Sequence, residues 1–318
     1  MQQGYDLIGD VHGCGETLIV LLKQMGYQRI NGVYQHKSRK VVFLGDIIDR
    51  GPHIRLACEV VRGMVDAGHA YMIMGNHEYN AVTYMTPAPE GVDRPYLRPH
   101  TERNNFILQQ TVEQFANHPK ELQEYLEWFT ELPLFIDFDH FRVVHACWDQ
   151  DLINEFIARY GGNQLHKELL YESVNPNTFL YQFLDRTLRG TSLKLPDNRS
   201  MQAKDGMVRQ FFRTKFWSAN PKVYNDVVFQ PDPLPTDLTH ARLTMTEKEK
   251  LLYYSKQEKP LFFGHYWMSG VPSIIRNNIA CLDYSAVKYG RLVAYRMDNE
   301  KQLNNGKFTW VRVEKTER

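Results

Sequence analysis

Short apolar runs alternate with longer, periodically apolar segments through the first eighty residues. Tyr5-Asp6-Leu7-Ile8, Lys40-Val41-Val42-Phe43-Leu44 and Ala70-Tyr71-Met72-Ile73-Met74 have the length of strands, and each stops at a glycine. Between them, Leu18, Leu21, Leu22 and Met25 recur at helical spacing, as do Leu56, Val60, Val61, Met64 and Val65, and Gly26 and Gly68 stand where helix stops belong. The pattern predicts β-α-β-α-β. Polar residues follow every strand, at the carboxyl-terminal edge where α/β sheets place ligands.

Beyond this block the pattern changes. From Tyr79 to about Asn105 the chain is rich in Pro, Thr and Arg without a steady period, which predicts a surface loop bordering the strand ends. Leu122, Tyr125, Leu126 and Phe129 form a helical face. Leu134–Phe138 and Phe141–Val144 flank Asp139-His140 and predict a hairpin, the second strand running into His145-Ala146-Cys147-Trp148. Leu152–Tyr160 is helix-like, and Pro231-Asp232-Pro233-Leu234-Pro235 reads as an extended linker. Leu261-Phe262-Phe263 leads into Gly264-His265-Tyr266-Trp267, while Arg291–Met297 and Phe308–Val313 read as closing strands of a second sheet.

Composition narrows the class. With 318 residues, 43% hydrophobic and 24% charged, the chain can bury a large core. A net charge of +1 with no long run of either sign gives no reason to expect an obligate nucleic-acid partner. No apolar stretch is long enough to span a bilayer, so no membrane association is expected. Cys14, Cys58, Cys147 and Cys281 form no Cys-x-x-Cys pair, and the N-terminus lacks a signal-peptide pattern, so the expected setting is reducing and cytoplasmic. Oligomeric state is not legible.

The candidate chemistry sits just past the strand ends. Asp10, His12, Asp46 and Asn76 combine carboxylate, imidazole and amide oxygen without thiolate, a set that suits hard or borderline divalent ions. A pair of such ions is the basis of two-metal phosphoester hydrolysis. Cys14 and Cys147 neighbour these positions, but no Cys-x5-Arg loop supports a cysteine nucleophile.

Three blocks about thirty residues apart, Gly9-Asp10-Val11-His12-Gly13, Gly45-Asp46-Ile47-Ile48-Asp49-Arg50-Gly51 and Gly75-Asn76-His77-Glu78, resemble the calcineurin-like metallophosphoesterases. The intact Asp49-Arg50-Gly51 and Glu78 resemble the phosphoprotein phosphatase branch, which in bacteria includes symmetrical diadenosine tetraphosphatases. Cys147, Trp148 and Tyr266 depart from the family pattern.

The resemblance implies an α/β sandwich of two mixed β-sheets flanked by helices, a single domain over residues 1–318 with 149–259 inserted as a cap. It implies two divalent cations, manganese first, with iron, zinc, magnesium or nickel as alternatives. Asp10 and His12 would bind the first, Asp46 would bridge, and Asn76, His145 and His265 would complete the second. Hydroxide held between the ions would attack phosphorus directly.

His77 is then the expected general acid, Asp49 its orienting carboxylate and Arg50 the phosphate fork, with a second arginine among Arg189, Arg209 and Arg213. Glu78 is expected to buttress its loop, and Phe211, Phe212, Phe216 and Trp217 could stack a nucleobase or fill a core. The expected partner is a phosphorylated substrate: phosphoprotein, nucleotide or small phosphoester. Phosphomonoesterase or phosphoprotein phosphatase activity is the leading expectation and symmetrical bis(5'-nucleosyl)-tetraphosphatase activity the alternative. A metal-binding scaffold without turnover is the reading from another class.

Overall fold

A computed structural model describes residues 3–202, 208–229 and 234–314. The first third runs β1 (Gly4–Ile8), α1 (Gly15–Gln24), β2 (Gln28–Ile30), β3 (Val33–Gln35), β4 (Arg39–Phe43), α2 (Ile54–Asp66), β5 (Ala70–Met72), α3 (Asn76–Met85) and α4 (Glu102–Phe115). Next come α5 (Pro119–Glu131), β6 (Phe135–Asp137), β7 (Arg142–Val144), α6 (Gln150–Tyr160), α7 (Leu170–Ser173) and α8 (Phe179–Arg189). Short elements follow: β8 (Ser192–Lys194), β9 (Met201–Gln202), β10 (Val208–Arg209), β11 (Phe211–Arg213), α9 (Tyr224–Val227) and α10 (Met245–Glu249). The chain closes with β12 (Leu261–Phe263), β13 (Ile279–Cys281), β14 (Asp283–Tyr284), β15 (Arg291–Met297) and β16 (Phe308–Arg312).

Two mixed sheets form the frame. One has the order β14-β15-β1-β4-β5 with β16 on the far side of β15; the other has the order β13-β12-β7-β6. Strands β1, β4 and β5 are parallel, as are β7, β12 and β13, so each sheet brings several carboxyl-terminal ends to one rim.

The apolar runs lack polar alternation because both faces of these strands are covered. Successive side chains divide between two cores. Leu7, Val42, Phe262 and Ala280 fill the space between the sheets, while Ile8, Val41, Phe43, Leu261 and Phe263 face the helices. On α2, Ile54, Ala57, Cys58, Val61 and Met64 are buried at helical intervals against the same core.

Segment 149–259 divides between two apolar clusters. Phe156 of α6 and Leu180, Phe183 and Leu188 of α8 belong to the main core. Leu193, Leu195, Met201, Phe212, Tyr224, Val227 and Leu243 form a small cluster of their own. No helix among the described residues is long and apolar enough to cross a membrane.

Three expectations are corrected. The stretch from Tyr79 is not a loop at once: α3 continues to Met85, and α4 begins at Glu102. Asn76 to Thr83 are all buried, so this helix has no solvent face to give it a period. A hairpin, β2–β3, interrupts the predicted β-α-β unit; its turn is Asn31-Gly32, with φ of 50° and 87°. The closing strands β15 and β16 extend the first sheet instead of forming the second, since β15 pairs antiparallel with β1. The hairpin around Asp139-His140 is present, closed by Phe138 N–H to Phe141 O at 2.9 Å. Of the expected linker over 231–235, residues 231–233 lie outside the described residues.

Phe262, fully buried between the sheets, packs edge-on to Phe141 with ring centroids 5.9 Å apart and lies 5.0 Å from Tyr295. Phe262→Ala should destabilise the protein by about 3–5 kcal/mol. Denaturant unfolding with an unchanged m-value checks this; a loss under about 1 kcal/mol would contradict close packing of the two sheets.

Candidate functional site

The rim is assembled by backbone turns that only a few residues permit. After β4 the chain takes the left-handed conformation at Gly45 (φ 87°) and again at Asp46 (φ 53°). A Cβ at residue 45 would sit 2.5 Å from the Gly75 nitrogen, so the second and third blocks touch through bare backbone. Asp46 O accepts from Val11 N–H (3.1 Å) and His12 N–H (2.8 Å), which joins the first block to the second. Glu78 is fully buried; its carboxylate accepts from the N–H groups of Asp46 (2.8 Å), Ile47 (2.9 Å) and Gly75 (2.9 Å).

The side chains of Asp10, His12, Asp46, Asn76, His77 and His145 are buried at this rim, and His265 is partly exposed. Asp46 Oδ2 lies 3.4 Å from His145 Nε2, 3.8 Å from His12 Nε2 and 3.9 Å from His77 Nε2. His12 Nδ1 faces Ile48 O at 3.1 Å and His145 Nδ1 faces Leu44 O at 2.7 Å. Asn76 Oδ1 is 3.1 Å from His145 Nε2. Two groups bring their donor atoms within 4.8 Å of one another: His12, Asp46 and His77, and Asp46, His145 and His265. Asp10 stands in neither group; its carboxylate accepts from His265 N–H at 3.1 and 3.3 Å. A Cβ at Gly264 would fall 2.0 Å from Asp10 Oδ1, so the glycine makes that approach possible.

Beside these groups, His77 Nδ1 is 2.5 Å from Asp49 Oδ2. Arg50 directs Nη2 to His77 Nε2 at 3.2 Å and Nη1 to His12 Nε2 at 3.5 Å. From the later half, Arg213 donates to His265 O at 3.1 Å and lies 2.8 Å from His265 Nε2. Arg189 donates to Asn80 Oδ1 at 3.1 Å and pairs with Asp185 at 3.2 Å. Arg189, Arg209 and Arg213 line one cleft of about 250 Å³, with Phe211 and Trp267 among its walls.

Electrostatics here are dominated by burial and mutual proximity. Burial would raise the Asp46 pKa, but the imidazoles of His145 and His77 hold it well below the usual carboxylate range. Burial alone would lower the His145 pKa; the Asp46 carboxylate outweighs it and raises His145 to about 10. His12 and His265 are lowered, by burial first and then by Arg50 and Arg213 respectively. Burial and then Asp283 push Asp10 well up, and burial and then Asp46 push Glu78 up to about 7, against the pull of its backbone donors.

One position escaped the motif reading, and another was marked only by a loose resemblance. Thr111, on α4, bonds Asp49 through both its hydroxyl hydrogen and its oxygen. Asp283, at the start of β14 in the stretch Ile279–Ser285 that is loosely similar to the family's Leu-Asp-Thr-Gly strand, adds a buried carboxylate whose pKa burial raises, while the Ser285 N–H and Arg50 oppose the shift. Both lie far in sequence from the motifs, and no local pattern marks Thr111.

The aromatic set divides: Phe212 and Phe216 are 2% and 1% exposed and belong to cores, whereas Phe211 is 53% exposed at the cleft. Cys14 and Cys147 are buried, and burial pushes the Cys147 thiol far up, which argues against a thiolate nucleophile. Tyr266, the departure from the pattern, is buried beneath Arg213, accepts from Thr191 N–H and donates to Thr214 O, each at 3.2 Å.

Among curated proteins, the asymmetrical bis(5'-nucleosyl)-tetraphosphatase PrpE of Halalkalibacterium halodurans is 29% identical over 177 residues, 55% of this chain and 67% of that protein. PrpE of Oceanobacillus iheyensis is 33% identical over 158 residues, 47% of this chain and 58% of that protein. The chain thus matches about three fifths to two thirds of the length of these relatives. A solved serine/threonine phosphatase from Saccharomyces cerevisiae is similar at a TM-score of 0.49 and 12% identity, over 98% of this chain and 80% of that one. Residues 6–249 match the family model for calcineurin-like phosphoesterases, and the chain belongs to that family.

Proposed function

We propose that this protein is a phosphoester hydrolase whose two divalent cations are held by Asp10, His12, Asp46, Asn76, His145 and His265. One observation carries the reading. A carbonyl can only accept, so the Nδ1 atoms of His12 and His145 that face Ile48 O and Leu44 O must carry hydrogen. The opposite Nε2 atoms then turn towards the Asp46 carboxylate, an arrangement that a cation bound by both would stabilise. Without metal a proton on His145 serves, consistent with its raised pKa. Oxygen and imidazole donors without sulfur suit hard or borderline divalent ions; the family resemblance puts manganese first, with iron, zinc, magnesium or nickel as alternatives.

Divalent ions at such a centre supply an activated water and neutralise charge on the phosphoryl oxygens. The chain's own groups do the rest. Arg50 presents a planar fork to two phosphate oxygens, and Arg213 is the later arginine nearest the metal-binding residues through its bonds to His265. A phosphate that takes the Arg50 fork releases His77 Nε2 to carry a proton. Asp49 fixes the opposite nitrogen, so His77 Nε2–H faces the leaving-group oxygen and protonates it.

Segment 149–259 acts as the cap and selects the substrate, because it supplies Arg189, Arg209 and Arg213 to the cleft. Those arginines, and relatives named as asymmetrical bis(5'-nucleosyl)-tetraphosphatases, favour a nucleoside polyphosphate over the phosphomonoester or phosphoprotein first expected. Neither PrpE relative is named as a symmetrical enzyme. Initial rates on a dinucleoside tetraphosphate, a phosphopeptide and p-nitrophenyl phosphate, with product analysis, decide among these readings; a phosphopeptide preference would reject the nucleotide reading.

Asp46→Asn should abolish both bound ions and activity together, read by elemental analysis and turnover; retention of two ions would reject Asp46 as the bridge. His77→Asn should keep two ions while turnover falls about 10²–10⁴-fold on phenyl phosphate and less on p-nitrophenyl phosphate. Full activity on the poorer leaving group would remove His77 as the acid.

The metal-free protein should depend on pH through His145. Its folded pKa of about 10 exceeds the reference 6.5, so its contribution is complete below about 6.5 and lost as pH rises through 10. The Tm of chelator-treated protein should therefore fall from pH 7 to pH 10, and fall less in His145→Asn; equal slopes would refute the assignment.

A further inference from the structure

Helix α4 contributes nothing to the three motif blocks, yet it holds the middle one. Thr111 is 1% exposed; its hydroxyl donates to Asp49 Oδ1 while its oxygen accepts from Asp49 N–H at 3.1 Å. One turn later, Gln114 accepts from Ile54 N–H at 2.7 Å and donates to Gly51 O at 2.9 Å. Between these anchors Asp49 and Arg50 are both left-handed, with φ of 67° and 69°, a conformation that residues with a side chain rarely adopt unaided.

The geometry points to Thr111 as a positioning residue for the proton-transfer step: it orients the Asp49 carboxylate, and through it the His77 imidazole. Asp49 is fully buried, so bulk solvent does not reach its carboxylate. With Oδ1 held by Thr111, rotation of the carboxylate is arrested and Oδ2 is committed to His77 Nδ1 at 2.5 Å. Packing alone does not call for a hydroxyl here. Leu108 and Phe115, the other buried side chains of α4, are apolar, and a valine has nearly the shape of threonine. Gln114 completes the clamp on the other side of Arg50, so one helical turn fixes the backbone that presents both the carboxylate and the guanidinium.

This inference rests on the reading of His77 as the general acid, and its test separates the two. Thr111→Val should retain two ions per chain and a KM within about twofold, while kcat on phenyl phosphate falls at least tenfold and kcat on p-nitrophenyl phosphate falls much less. Thr111→Ser should restore the rate. In a His77→Asn background Thr111→Val should cost nothing further.

If His77→Asn is slow but Thr111→Val is not, or if Thr111→Val costs the same in both backgrounds, the positioning role is overturned while the acid stands. If His77→Asn is fully active on phenyl phosphate, the acid reading itself fails. Should Thr111→Val not fold, NMR of the wild type provides the decision. A slowly exchanging Thr111 hydroxyl proton with a cross-peak to the His77 Nδ1–H supports the role, and its absence overturns it.

Discussion

A carboxylate without access to water ties the site together. Glu78 gathers backbone N–H groups from the turn after β4 and the turn after β5, so two strand ends separated by thirty residues share one buried acceptor. Three donors suit an ionised carboxylate, and they keep Asp46 in its left-handed turn. From that turn Asp46 Oδ1 accepts the His77 N–H at 2.9 Å, leaving Oδ2 to face the imidazoles. If Glu78 loosened, the second and third blocks would separate, and Asp46 would lose the orientation on which every neighbouring contact relies.

The second constraint is that the site spans two sheets. Asp10, His12, Asp46 and Asn76 follow strands of the first sheet; His145 and His265 follow adjacent parallel strands of the second, whose ends are joined by Gly264 N–H to His145 O at 2.8 Å. A common apolar core between the sheets keeps these ends at fixed separation. Concentrating Asp10, Asp46, Glu78 and Asp283 in one buried place is electrostatically costly. The cost is offset by Arg50, by a charged His145, or by cations, which makes the site a receptor for positive charge before any substrate arrives.

Much of this was legible in the sequence because the strand ends are strict. Glycines at 45, 75 and 264 are demanded by approaches under 3 Å, of the Gly75 backbone, the Asp46 backbone and the Asp10 carboxylate respectively, and acid, amide and imidazole follow them directly. Helices α1, α2 and α5 were legible because each has one buried face. Helix α3 was hidden by burial on all sides, and its polar residues serve the site instead of solvent. The turn Asn31-Gly32 carried a readable hairpin signal that the helical spacing on either side obscured. Which sheet β15 joined could not be read from its own residues, since pairing is a property of two strands. Thr111 belongs to the same class: its importance arises from what it meets.

The position of β15 beside β1 has a consequence for synthesis. β1 finds its parallel neighbour β4 within forty residues, but its antiparallel neighbour pairs Tyr5 with Met297. On the ribosome one flank of β1 therefore stays bare until β15, nearly three hundred residues later, has emerged. An unpaired strand flank invites pairing with another chain, so until β15 arrives this flank is exposed to mispairing. The first sheet is thus completed by strands far along the chain from the one they flank.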